Sequence, residues 1–190
     1  MMFLKKILFP FCYLFILPLI LTMQTQQRIL YSKVWAHRVN NLDEVVEKQR
    51  QFMGMELDLI YSEEKSLFYV GHDLIDSNKN IYFTDWLSKL SNKERMNSYY
   101  WLDMKNINPE NAKKISILLN EITQKYNIKN RVWVESYYWD ALKTVKEHGF
   151  QVILWVENLH WQNELDTAQW FQKTKIIIDL LKPDGISCMY

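Results

Sequence analysis

Met55-Glu56-Leu57-Asp58-Leu59-Ile60-Tyr61 sets carboxylates between aliphatic residues along one strand length. Residues two apart in a strand share a face, so Glu56 and Asp58 point one way while Leu57 and Leu59 point the other. Carboxylates in so apolar a run need a partner. Working outward, strand-length apolar runs recur at residues 29–36, 67–70, 99–104, 131–137, 151–156 and 185–189. They are separated by polar segments of helical period. Strands alternating with helices predict a parallel α/β sheet.

The helical segments carry their own boundaries. Residues 42–52 follow Asn41 as cap, 84–90 follow Thr84, and 109–126 open on Asn108 and Pro109; 139–148 end at Gly149, and 165–181 are stopped by Pro183. Gly54, Gly149 and Gly185 fall between a helix and the next strand, where a left-handed residue lets the chain reverse.

An open doubly wound sheet and a closed barrel both fit this alternation. An open sheet usually announces a nucleotide site by a glycine-rich turn after its first strand. Here that turn is His37-Arg38-Val39-Asn40-Asn41, without glycine. Polar residues instead recur at the ends of several strands: His37-Arg38, Glu56 with Asp58, Gly71-His72-Asp73, and Asp103-Met104-Lys105. Chemistry at strand ends is the habit of a (β/α) TIM-type barrel, which is the fold expected. About seven strands can be counted where a closed barrel has eight, so the expected barrel is incomplete at its C-terminus.

The N-terminus differs in kind. Lys5 and Lys6 precede an uncharged apolar run over residues 7–23, and polar Gln24 to Arg28 follow. Residues 1–27 therefore read as an export signal or an uncleaved membrane anchor, and 28–190 as one barrel domain. The expected location is exported: membrane-anchored, periplasmic or extracellular. Cys12 lies in the apolar run and Cys188 near the C-terminus, so neither a disulfide framework nor a cysteine zinc site can be built. A net charge of +1 provides no basic footprint, and nucleic acid is not expected as a partner.

The clusters define a chemistry. Carboxylates facing one rim repel unless a cation sits among them, and oxygen-only ligands suit magnesium or calcium. Glu56, Asp58 and Asp103 are the candidate ligands. His37 and His72 would flank the ion, one taking a proton from an attacking hydroxyl and the other protonating the leaving group. Arg38 and Lys105 suit a phosphate. Together these describe metal-assisted phosphodiester cleavage. His148 and His160 read as structural, Glu135 as either a site or a rim residue. Trp133, Tyr137, Tyr138, Trp139, Trp155 and Trp161 read as packing, with a choline- or sugar-binding rim as the other reading.

Val34-Trp35-Ala36-His37-Arg38, Met55-Glu56-Leu57-Asp58, Gly71-His72-Asp73 and Leu102-Asp103-Met104-Lys105 resemble the ordered motifs of the phospholipase C-like phosphodiesterase barrels, especially glycerophosphodiester phosphodiesterases. The Glu135-Ser136 segment resembles their fifth strand. The resemblance implies His37 and His72 as catalytic histidines, Glu56, Asp58 and Asp103 as metal ligands, and Lys105 near the phosphate. It implies glycerophosphodiester or phospholipid-derived substrates and attack by a neighbouring substrate hydroxyl to give a cyclic phosphate. The short turn after His37 and the aspartate at 103 are similar to the sphingomyelinase D-like branch, which leaves hydrolysis and cyclising lyase chemistry both open. Two other readings are a truncated, inactive barrel that binds a phosphate or headgroup at a membrane, and a glycoside hydrolase. The latter would use two carboxylates but would not require His37, His72 and Lys105.

Overall fold

The computed structural model describes residues 34–73, 81–157 and 167–188. The N-terminal apolar run, the start of the first expected strand, His160 and Trp161 lie outside the described residues. Strands β1 (Trp35–Ala36), β2 (Gly54–Ser62), β3 (Leu67–Val70), β4 (Tyr99–Met104), β5 (Val132–Ser136), β6 (Gln151–Val156) and β7 (Gly185–Cys188) form one sheet. The helices are α1 (Val45–Gln51), α2 (Phe83–Ser88), α3 (Asn92–Met96), α4 (Ala112–Lys125), α5 (Trp139–Glu147) and α6 (Thr167–Leu181).

The path β1-β2-β4-β5-β6-β7 is parallel throughout and curls into a half-barrel, the fold of a partial TIM barrel. One expectation is corrected: β3 pairs with β2 antiparallel, so the barrel path holds six strands rather than seven. The reason is connection length. Only residues 63–66 join β2 to β3, enough for a hairpin but far short of a parallel crossover. Nine-residue β2 thus carries β1 along its first part and β3 along its last.

The two faces of the sheet differ. On β4, Tyr100, Leu102 and Met104 are buried towards the helices, while Tyr99, Trp101 and Asp103 look into the hollow and are half-buried. The helix-side residues join Met55, Leu57, Leu59, Val132, Val134, Val152 and Leu154 in the core. α4 and α5 add Ile115, Leu119, Leu142 and Val145, at helical spacing. At the N-terminal end of the hollow, Trp35 meets Tyr99, Trp101 and Trp133 with ring centroids 6.3, 5.9 and 5.5 Å apart. Trp133 is therefore packing, not rim.

Some boundaries move. The leading turns around Asn41 and Asn108 precede the regular helices: Asn41 Oδ1 accepts the Asp43 N–H at 3.1 Å, and Asn108 Oδ1 accepts those of Glu110 and Asn111, both at 3.0 Å. Thr84 lies inside α2, whose cap is Tyr82 without a side-chain bond. α3 was not anticipated, although Ser91 and Glu94 form a full capping box. Of Gly54, Gly149 and Gly185, only Gly149 is left-handed, at φ 83°. Gly54 has another role: a Cβ there would lie 2.5 Å from the Trp35 ring. No helix among the described residues is long and apolar enough to cross a membrane.

Candidate active site

Parallel pairing sets the site. Asp58 on β2 stands level with Asp103 on β4, which stands level with Glu135 on β5. Glu56 occupies the row below Asp58, level with Trp101. All four side chains face the hollow because each alternates with a core residue.

Glu56, Asp58 and Asp103 offer oxygens that all lie within 4.8 Å of one another. Each is held by a different part of the chain. The Arg38 backbone N–H donates to Glu56 Oε2 at 2.6 Å, from a left-handed residue at φ 54°. Asn40 grips Asp58 twice, its Nδ2 donating to Oδ2 at 2.6 Å and its Oδ1 accepting the Asp58 backbone N–H at 3.0 Å. The turn that carries Arg38 and Asn40 is locked in its turn. Val39 N–H donates to the Glu56 carbonyl at 2.9 Å, and the buried Trp86 indole donates to the Val39 carbonyl at 2.7 Å.

Lys105 lies between two of the acids. Its Nζ is 2.7 Å from Asp58 Oδ1 and 2.5 Å from Asp103 Oδ2. Burial works against its charge, but Asp103 and Asp58 outweigh it and raise the ammonium pKa. Burial pushes Glu56 up to about 8, opposed by the Arg38 N–H and aided by the charges of Asp58 and Asp103. Asp103 is also raised, by burial first, against the pull of Lys105. Carboxyls this reluctant to ionise indicate an excess of negative charge in a poorly hydrated place.

The histidines approach from opposite sides of β2. His37, just after β1, is largely exposed, with Nε2 3.6 Å from Glu56 Oε2. His72, just after β3, has Nδ1 3.0 Å from Asp73 Oδ1, and its charge reaches Asp103. The hairpin that removed β3 from the barrel path is what brings His72 to the rim: Gly71 N–H donates to the Asp58 carbonyl at 3.0 Å. Arg38 is exposed and contributes its backbone to the cluster.

Glu135 extends the acid row. It is buried, accepts the Trp101 indole N–H at 2.8 Å on Oε2, and accepts the Ser187 hydroxyl on Oε1. Burial raises it to about 7, with Ser187 and Trp101 acting against the shift. Asn40 and Trp86 were not singled out from sequence. Asn40 had a signal in its place three residues after His37, whereas nothing local marks Trp86 as the lock of a turn far away in the chain.

Three carboxylates within the span of one oxygen-liganded ion suit magnesium or calcium, and Lys105 shows that the cluster already accommodates a positive charge. These residues therefore fit a divalent cation, with Glu56, Asp58 and Asp103 as its holders.

No family model and no curated protein matches the sequence. Among solved structures, a glycerophosphodiester phosphodiesterase from Parabacteroides distasonis is similar at 14% identity and a TM-score of 0.56, over 84% of this chain and 85% of that one. A phosphodiesterase from Oleispira antarctica, in complex with the product sn-glycerol-3-phosphate, is similar at 12% identity and a TM-score of 0.60, over 85% of this chain and 76% of that one. At such identities the likeness establishes the barrel fold.

Proposed function

We propose that this chain is a metal-dependent phosphodiesterase that cleaves glycerophosphodiesters or related lipid-headgroup diesters by two-histidine acid/base catalysis. The observation that carries the reading is the acid cluster Glu56, Asp58 and Asp103, set at the rim between His37 and His72. The fold is shared with phosphodiesterase barrels, one of them holding sn-glycerol-3-phosphate. A glycoside hydrolase would leave both histidines and Lys105 without a task.

Glu56, Asp58 and Asp103 would hold the cation, which supplies Lewis-acid stabilisation of charge on a phosphoryl oxygen. Asn40 and the Arg38 N–H orient two of those carboxylates. Lys105 and the Arg38 side chain supply further positive charge to the phosphate. One histidine takes the proton of the attacking hydroxyl while the other protonates the leaving oxygen. Attack by a substrate hydroxyl gives a cyclic phosphate; attack by water gives the hydrolysed monoester. The apolar run at residues 7–23 behind Lys5 and Lys6 supports export, with the site outside the cytoplasm and the anchor, if retained, at a membrane.

The test is turnover of a glycerophosphodiester panel by the full chain, with magnesium, with calcium and with chelator. Metal-dependent cleavage is expected, falling about 10²–10⁴-fold in His37→Ala and in His72→Ala. A folded protein that binds calcium but turns over none of the panel would replace this reading with that of a headgroup-binding protein.

A further inference from the structure

The row above the acids carries side chains that the phosphodiester chemistry does not use. Asp103 is level with Glu135, and Glu135 with Ile153. Two residues further along each chain, on the same face, come Lys105, Tyr137 and Trp155. Trp155 is still in the sheet, paired with Ser187. The Tyr137 and Trp155 rings meet with centroids 5.6 Å apart at 61°. Tyr138 stands against Tyr137 at 5.8 Å and 83°. Both tyrosines are large exposed aromatics, at 50% and 48%, on the face where a barrel does its chemistry.

Behind them a cavity of about 450 Å³ runs between the start of α5, the end of β6 and α6; its wall includes Trp155, Trp170, Asp140, Glu157 and Lys173. Burial and then the Glu157 carboxylate raise the Tyr137 hydroxyl, so that carboxylate stands close to the ring pair. Ring faces are negative, and two carboxylates against one lysine add to that sign. An anion gains nothing in such a place, and a neutral alkyl group gains no more than burial. A weakly hydrated organic cation gains both burial and charge.

We propose that Tyr137 and Trp155, with Glu157 and Asp140, form a subsite for an organic ammonium group of the trimethylammonium type. As a place for a substrate headgroup the subsite rests on the phosphodiesterase reading, whereas as an ammonium site it rests on these residues alone. A diester whose phosphate lies by Lys105 would extend its ammonium-bearing alcohol along the same row, onto Tyr137 and Trp155.

Titration calorimetry of the full chain with choline and with 3,3-dimethylbutanol, its uncharged isostere, tests the ammonium site without any turnover. Choline is expected to bind at least tenfold more tightly. Tyr137→Leu and Glu157→Gln should each weaken choline about tenfold while leaving calcium affinity unchanged. Equal binding of the two probes, binding of neither, or full choline affinity in Glu157→Gln and Tyr137→Leu would overturn the site. The preference in kcat/KM for glycerophosphocholine over glycerophosphoglycerol should fall towards one in Tyr137→Leu. An unchanged preference beside lost choline binding would overturn the headgroup assignment and leave a site for a free ammonium ion. If no diester is cleaved, the phosphodiesterase reading fails, and the choline comparison still decides the ammonium site.

Discussion

Glu56 and Glu135 keep their protons far above the usual carboxylate range, at about 8 and about 7, because burial disfavours their charge. A folded-state pKa above the unfolded value means that the native protein binds more protons through that window, so stability falls as pH rises across it. Below about 4.5, the ordinary glutamate value, both states are protonated and neither group matters. From there to about 7 for Glu135 and about 8 for Glu56, the native state loses ground, and above that it loses no more. In chelator, the melting temperature should therefore decline from pH 5 to pH 8. Glu135→Gln keeps an acceptor for Trp101 and Ser187 without the charge, so it should flatten part of that decline and raise stability at pH 8. Thermal denaturation of both proteins across pH checks this; parallel curves would mean that Glu135 ionises freely. At this scale the sequence was readable where residue type implies chemistry. His37, His72, Glu56, Asp58, Asp103 and Lys105 do converge on one rim. What could not be read is partnership: that Lys105 sits between Asp58 and Asp103, that Arg38 serves Glu56 through its backbone, and that Asn40 holds Asp58 all depend on how separate strands register.

Elements show the same division. Apolar alternation located β2, β4, β5, β6 and β7 closely, because burial on one or both faces leaves its period in the residues themselves. Direction is not written in the period, and β3 was expected to be parallel although residues 63–66 are too few for a crossover. Gly54 shows a related gap. Its place between α1 and β2 suggested a left-handed turn, whereas its function is to let the Trp35 ring lie on the strand, where a Cβ would come within 2.5 Å. That contact joins the two-residue β1 to β2 and starts the aromatic layer of Trp35, Tyr99, Trp101 and Trp133. Gly54→Ala must push the indole out of a packed layer, and overpacking of this kind usually destabilises by about 1–3 kcal/mol. Because β1 leads directly into His37, activity should fall more than stability predicts. Chemical denaturation beside turnover would separate the two, and a variant with native stability and native activity would mean that Trp35 can repack at no loss.

Across the whole molecule the sheet is unequally supported. β2 is bound by β1, β3 and β4, and β4 and β5 each have neighbours on both sides and core residues at 0% exposure such as Leu57, Leu102 and Val134. Among the described residues β7 pairs only with β6, and its Ile186 is 55% exposed. Local opening takes place where few buried contacts resist it, so strand amides of β7 should exchange with solvent at least a hundredfold faster than those of β2 and β4. The Ser187 hydroxyl on Glu135 ties β7 to β5 across the intervening strand. Ser187→Ala should therefore hasten exchange in β7 while leaving β2 and β4 unchanged. Calcium should act in the opposite place: its expected holders belong to β2 and β4, and an ion that relieves their charge repulsion favours the state in which those strands are paired. Hydrogen exchange with and without calcium reads both effects at once. Uniform slowing along the whole sheet would mean that it opens as one unit, and slowing confined to β2 and β4 would mean that the ion stabilises the centre from which the rim residues are hung.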